Sequence, residues 1–146
     1  MDTRLQYQIL PEKKLILEYY SGNIYKNTIM YFKQEISKHV AYNMHYNIIH
    51  DFRDAELVAN IEDVRSFIDY IKQNERTYAQ KKIAFITDKP NQVTITYLFN
   101  ALKKETYLIA ETFSTLEGAI VWVGLRSTEL DYIHSVLSEL KELAHL

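Results

Sequence analysis

Short β-rich apolar runs alternate with stretches of helical periodicity along almost the whole chain, and this alternation restricts the fold more than any single motif. "RLQYQIL" and "KLILEYY" have strand character, and "PEKK" between them, with Pro11 and three charges, reads as a hairpin turn. Tyr25, Ile29, Phe32, Ile36 and Val40 then recur at steps of four and three, the spacing of one helix face, with Asn23 as the expected cap. "HYNIIHDF" is continuously apolar at its centre, which predicts a central strand covered on both faces. Asn60 is placed to cap a second helix, with Glu62 and Asp63 in its first turn and Ile61, Val64, Ile68 and Ile71 along its inner stripe. "KKIAFITD" and "TYLIAETF" read as two further strands. Between them, "KPNQVTITYLFNALKK" fits both strand alternation and helical spacing, and Pro90 near its start with "NALKK" at its end favours a helix. Ser114-Thr115-Leu116-Glu117 matches a capping box ahead of the short helix "LEGAIVWV", which stops near Gly124. A second box, Thr128-Glu129-Leu130-Asp131, opens a final helix.

Strands alternating with helices imply a sheet with helices packed against it. The expected fold class is α/β, a mixed, largely parallel sheet of about five strands flanked by helices, with an extra C-terminal helix. At 146 residues and 47% hydrophobic content the chain is sized for one core. Residues 1–126 form the expected domain, and 127–146 a C-terminal amphipathic helix that is part of it or serves as an oligomerisation element.

Composition removes several functions. Seventeen basic residues against nineteen acidic ones leave a net charge of −2 with no basic run, so no nucleic-acid partner is expected. Without cysteine there are no disulfides, thiolate catalysts or Cys-based zinc sites. The start "MDTRLQYQIL" has no basic segment leading into a long apolar stretch, and nowhere do eighteen apolar residues run together, so the expectation is a cytoplasmic protein that does not span a membrane. Three glycines, Gly22, Gly118 and Gly124, form no G-x-G-x-x-G, P-loop or G-x-S-x-G pattern, and no cofactor is assigned.

From about Gln6 to Gly124, the pieces "YYSGNI" after a hairpin, "YNIIHDFRDAE", "KKIAFITDKPNQ" and "AETFSTLEGAIVWVG" resemble the small SpoIIAA-like proteins of the STAS superfamily, also described as SEC14-like. The resemblance implies a mixed sheet flanked by helices. It also implies action by docking onto a partner protein, or, on its SEC14-like side, carriage of a lipid-like ligand. The phosphorylated serine that switches the anti-sigma antagonists is not carried over: from Asp51 through Arg65 there is no Ser or Thr, and Ser66 falls inside the expected helix.

"HDFRDAE", residues 50–56, gathers five ionisable side chains behind the central strand and is the first place to look for chemistry. Strand alternation puts His50, Phe52 and Asp54 on one face and Asp51 and Arg53 on the other. His50, Asp54 and Glu56 could be imagined around a metal. No H-x-x-x-H or H-E-x-x-H spacing supports one, however, and His45 falls on the opposite face, so no metal is assigned. The favoured reading is structural, with Asp51 accepting backbone N–H groups and Arg53 paired to a carboxylate. If the strands before "DFRDAE", "TDKPNQ" and "FSTLE" are parallel, Asp51, Arg53, Asp54, Asp88, Lys89 and Ser114 ring one sheet edge, where open α/β sheets take ligands or partners. Trp122, His39, His134 and His145 read as packing or surface positions.

Leu130, Ile133, Leu137, Leu140 and Ala144 advance by three and four residues, an apolar seam that must be covered. It either folds back onto its own sheet or meets the same helix of a second chain. The expectation is a homodimer through Leu130, Ile133, Leu137 and Leu140, because the preceding region already holds several helices. The function expected from these features is a non-enzymatic interaction or regulatory module with a protein partner. The alternative is a carrier of a small apolar or lipid-like ligand: a closed, filled core argues for docking, and an apolar cavity of roughly several hundred Å³ under the helices argues for a carrier.

Overall fold

A computed structural model describes residues 2–74, 80–104 and 106–146. Strands β1 (Arg4–Leu10) and β2 (Leu15–Tyr25) form an antiparallel hairpin, in register from Arg4 opposite Ser21 to Leu10 opposite Leu15. The turn is a 3-10 turn over Pro11–Lys13 closed by Lys14 in the left-handed region, at φ 51°. Strands β3 (Asn47–Val58), β4 (Lys81–Ile86) and β5 (Leu108–Phe113) add in sequence order, each parallel to the one before, giving a five-stranded mixed sheet ordered β1-β2-β3-β4-β5.

Helices α1 (Lys26–Ser37), α2 (Ile61–Gln73) and α3 (Pro90–Leu102) are the crossovers of the three parallel pairs. Parallel crossovers are right-handed, and here each steps to the next strand in the same direction, so all three helices are driven to one face of the sheet. There Phe32, Ile36, Val64, Ile68, Ile71 and Phe99 close over the inward residues of β2, β3 and β4, among them Ile16, Tyr20, Ile48, Phe52 and Ile83. The opposite face, with Leu15, Leu17, Tyr19, Ile49, Ala84 and Ile86, is covered by α4 (Leu116–Trp122) and α5 (Leu130–Ala144).

This layering overturns the reason for expecting a dimer seam on α5. Ile133, Leu137 and Leu140 are 0%, 4% and 2% exposed, and Leu130 is partly buried against the same cluster. The earlier helices cannot reach this face, and α4 has only seven residues, so the apolar stripe of α5 is consumed by the chain's own sheet. Residues Leu130–Ala144 thus pack on the sheet built by residues 4–113.

Local signals differ from the sequence reading in four places. Asn23 does not cap α1, because β2 runs on to Tyr25 and the helix starts without a side-chain cap. Val40 lies beyond that helix and is exposed, while Ile36 and Phe32 point inward. Ser114 is exposed and does not cap α4: Thr115 Oγ1 accepts from the Gly118 N–H at 3.1 Å, one residue later than the S-x-x-E pattern implies. Ahead of α5 the chain makes a 3-10 turn over Ser127–Glu129, and the Glu129 carboxylate accepts from the Arg126 N–H at 2.8 Å, so Thr128 is not the cap. Asn60 does cap α2, in a reciprocal box with Asp63, and the ambiguous segment is helical from Pro90. Gly22 is required as glycine: its φ is +81°, and a Cβ there would sit 2.0 Å from the carbonyl oxygen of Asp2.

A chain ending at Arg126 is expected to yield no folded monomer, since it uncovers the β1–β2 part of one sheet face and leaves only α4 on the rest. In the full chain, Ile133→Ala should cost about 2–5 kcal/mol of stability. Circular dichroism and light scattering on the truncated chain test this, and a soluble, cooperatively melting monomer would refute it.

Candidate functional site

Under α1–α3 the helices do not close fully on the sheet. They leave a cavity of about 120 Å³ whose walls are almost wholly apolar, including Ile16, Ile48 and Ile83 from the strands and Ile29, Phe67 and Ile71 from the helices. Half-buried or exposed Tyr25, Lys26, Ala59 and Asp63 line its outer end. Four ionisable side chains also line it: Glu18 from β2, Lys33 from α1, His50 from β3 and Lys81 from β4. They share one face because Glu18 pairs with His50 in the β2–β3 register, His50 with Phe85 in the β3–β4 register, and Lys81 alternates in phase with Ile83 and Phe85.

Three of the four are locked together. The Lys33 ammonium donates to Glu18 Oε1 and Oε2 at 2.6 and 2.7 Å and to His50 Nε2 at 2.6 Å. The Tyr20 hydroxyl donates to the same carboxylate, and His50 Nδ1 donates to the Ala84 carbonyl at 3.3 Å. Burial pushes the Glu18 carboxyl up, but the charges of Lys33 and of any proton on His50, with the Lys33 and Tyr20 hydrogen bonds, hold it below the usual carboxylate range. Burial pulls the Lys33 ammonium down against the pull of Glu18. Burial, then Lys33, drives His50 down to about 3, so it is a neutral imidazole whose two nitrogens are both engaged.

Lys81 differs from the other three. It is only 7% exposed, and among the described residues its ammonium has neither a hydrogen-bond nor an ion-pair partner. Burial, and then Lys33, lower it to about 8, with Glu18 acting weakly the other way.

The "HDFRDAE" cluster is divided more sharply than alternation implies. Between Tyr19–Asp51 and Ser21–Asp54 the register slips, so two steps of β2 face three of β3. This bulge turns Asp54 away from His50 and Phe52 toward α5, correcting the shared face expected for them. Asp54 accepts there from the Tyr19 hydroxyl at 2.6 Å and pairs with Lys141 at 3.0 Å. Asp51, buried, is clamped by Arg53 Nε and Nη2 at 2.9 and 2.8 Å and accepts the Arg53 N–H at 3.2 Å. Asp88 pairs with Lys89 at 2.9 Å, and Lys89 also donates to the Arg53 carbonyl. Asp88 and Lys89 follow the end of β4, but Asp51, Arg53 and Asp54 lie in the middle of β3, which continues to Val58 instead of ending before them; the charges of all five are spent on one another, on Tyr19 and on Lys141. Ser114 follows β5 and bonds to none of them.

Beyond β4, the free edge of β3 is satisfied by side chains from the start of α3. Asn91 exchanges two 2.9 Å bonds with the backbone of Leu57, and fully buried Gln92 donates to Ala55 O at 2.8 Å while accepting from Asp88 N at 2.8 Å. Trp122 packs at a tilt of 52° against Phe113, with the Lys82 ammonium over its ring at 5.3 Å. His145 meets the Tyr19 hydroxyl at 3.2 Å. Among the described residues no cluster of His, Asp and Glu could hold a metal ion, and no helix is long and apolar enough to cross a membrane.

The sequence reading singled out His50 but passed over Glu18, Lys33 and Lys81. The signal was available: Glu18 and Lys81 are charges standing on the inward phase of otherwise apolar strands, "LILEYY" and "KKIAFI".

No protein-family model matches the sequence, and no curated protein matches it. Among solved structures, the chain is similar to an uncharacterised protein of the DUF3478 family with a SpoIIAA-like fold from Shewanella loihica PV-4. The TM-score is 0.56 and the identity 10%, and the match covers 84% of this chain and 96% of that one. At that identity the likeness concerns architecture, and it establishes that this chain has a SpoIIAA-like α/β fold.

Two measurements follow from this geometry. Asp51→Asn and Arg53→Met should each cost about 1–4 kcal/mol, since breaking one side of the clamp leaves a buried partner unsatisfied; unchanged melting temperatures would contradict a structural role. His50 binds its proton near 6.5 in an unfolded chain but only near 3 in the folded one. Between those values the unfolded chain holds more protons, so stability rises with pH and is lost on acidification, with a slope approaching about 1.4 kcal/mol per pH unit. Glu18, held low by Lys33, adds loss in the same direction at more acid pH. Denaturant midpoints from pH 7 to pH 5 should therefore fall more steeply for the native chain than for His50→Gln, which keeps an acceptor for Lys33 without the titration; equal slopes would overturn the assignment.

Proposed function

We propose that this chain is a non-enzymatic binding module whose sheet–helix cavity takes a small apolar ligand. The cavity itself carries this reading. A filled core between the sheet and α1–α3 would favour docking onto a partner protein as the whole function, whereas an apolar chamber left between them favours carriage or sensing of a ligand, here one of about 120 Å³ and so smaller than the several hundred Å³ expected of a carrier. Its size suits a small guest: a protein cavity of about 150 Å³ lined by apolar side chains accommodates benzene.

The ionisable groups lining the chamber support binding over turnover. A general base needs a free lone pair directed at a substrate, but the Glu18 carboxylate and both nitrogens of His50 are engaged by Lys33, Tyr20 and Ala84. Covalent chemistry at the Lys81 amine would need a neighbouring acid or base to move protons, and the titratable groups facing it are the same saturated set.

Toluene titrated into protein with labelled isoleucine methyl groups tests the reading. Saturable shifts are expected at Ile48, Ile71 and Ile83, and Ile29→Phe, which fills the chamber from α1, should weaken them at least about tenfold while the protein still melts cooperatively. Absence of saturable shifts in the native chain would overturn the proposal.

A further inference from the structure

The charged side chains lining the cavity do not balance, since Glu18 and Asp63 stand against Lys26, Lys33 and Lys81. Glu18 is the one carboxylate deep in the chamber, and both of its oxygens are taken by Lys33, with Tyr20 adding a third bond. His50 is neutral. Asp63 lies at the outer end, half-buried, on α2, where its carboxylate serves the Asn60 cap. Lys26, also at the outer end, bonds Ser66. Among the described residues, Lys81, on β4, therefore remains as a second buried cation facing a chamber with no anion left to meet it.

A buried ammonium without a counter-charge is unfavourable, and buried charges in folded proteins are as a rule paired. The ordinary escape, extending the lysine stem until its head reaches water, is little used here: the ammonium is not wholly shut off, but the residue as a whole is only 7% exposed. An anionic group brought in by the occupant of the cavity would satisfy it better. The rest of that occupant meets Ile16, Ile48, Ile83 and Phe67 and must be apolar and small.

We infer that the ligand is a small apolar monocarboxylate, its tail filling the chamber and its carboxylate paired with the Lys81 ammonium. This deepens the ligand-binding reading above and rests on it. Recognition is by charge-assisted hydrogen bonding in a desolvated site, worth roughly ten- to a hundredfold in affinity over a neutral isostere. Lys33 cannot substitute for Lys81, because releasing its proton donors would strand Glu18.

Calorimetry with two matched pairs, benzoate with benzamide and hexanoate with hexanamide, tests the inference on the full chain. The native protein should bind each acid at least about tenfold more tightly than its amide. Lys81→Met should abolish that preference while leaving the amides bound as well or better, and it should melt no lower than the native chain, because an apolar replacement of an unpaired buried charge is not destabilising. Acid binding should also weaken as pH rises past about 8, where the Lys81 ammonium is lost, while amide binding stays level. Glu18, Lys33 and His50, which face Lys81 from β2, α1 and β3, are common to both arms. Equal affinity for acid and amide in the native protein would overturn the carboxylate inference and leave the apolar-ligand reading intact. So would an acid preference that survives Lys81→Met. If neither acids nor amides bind and toluene shifts no methyl signal, both readings fall together.

Discussion

Three consecutive crossovers that step in one direction determine most of this molecule. Because each parallel connection is right-handed, stepping β2 to β3 to β4 to β5 leaves α1, α2 and α3 no choice of side. One face of the sheet receives all three helices and the other receives none until the last strand is complete. The unprotected face is large and apolar, from Leu15 and Leu17 on β2 across to Ala84 and Ile86 on β4. Its burial is the task of α4 and α5, which explains both the length of α5 and the depth to which Ile133 and Leu137 sink.

The same layering sorts the ionisable groups. On the α4–α5 side, Asp51 and Asp54 meet Arg53, Tyr19 and Lys141, so every buried negative charge there has a donor. On the α1–α3 side, Glu18, Lys33 and His50 saturate one another, and Lys81 is left over. Buried ion pairs add little net stability, because desolvation offsets much of their attraction. An unpaired buried cation beside an unfilled space is harder to account for by folding alone, which is why the ligand reading is centred on it rather than on the more conspicuous charged stretch of β3.

That charged stretch owes its arrangement to one irregularity. The bulge on β3 re-aims Asp54 from the cavity face to the α5 face, and the part of the strand that outruns β4 is closed by Asn91 and Gln92 of α3. With the bulge in place, His50 and Asp54 cannot act together, and Asp51, Arg53, Asp54, Asp88 and Lys89 become a set of local pairs between the middle of β3 and the end of β4.

The elements themselves were written locally. Alternation marked the strands, three-four spacing marked α2 and α5, Asn60 with Asp63 marked a true cap, and Pro90 marked the start of α3. These are short-range properties of neighbouring residues, and the order of the elements was enough to imply a largely parallel sheet with helices against it. The sequence could not say which surface covers the stripe of α5, because Leu130, Ile133, Leu137 and Leu140 carry the same periodicity whether the partner is a second helix or the chain's own sheet. Nor could it reveal the bulge, which is a relation between two strands, or the cavity group, whose members stand on four separate elements at Glu18, Lys33, His50 and Lys81. A charge on the inward phase of a strand is visible in one dimension. Whether it finds a partner is decided only when the other strands and helices arrive, and among the described residues they supply one for Glu18 and none for Lys81.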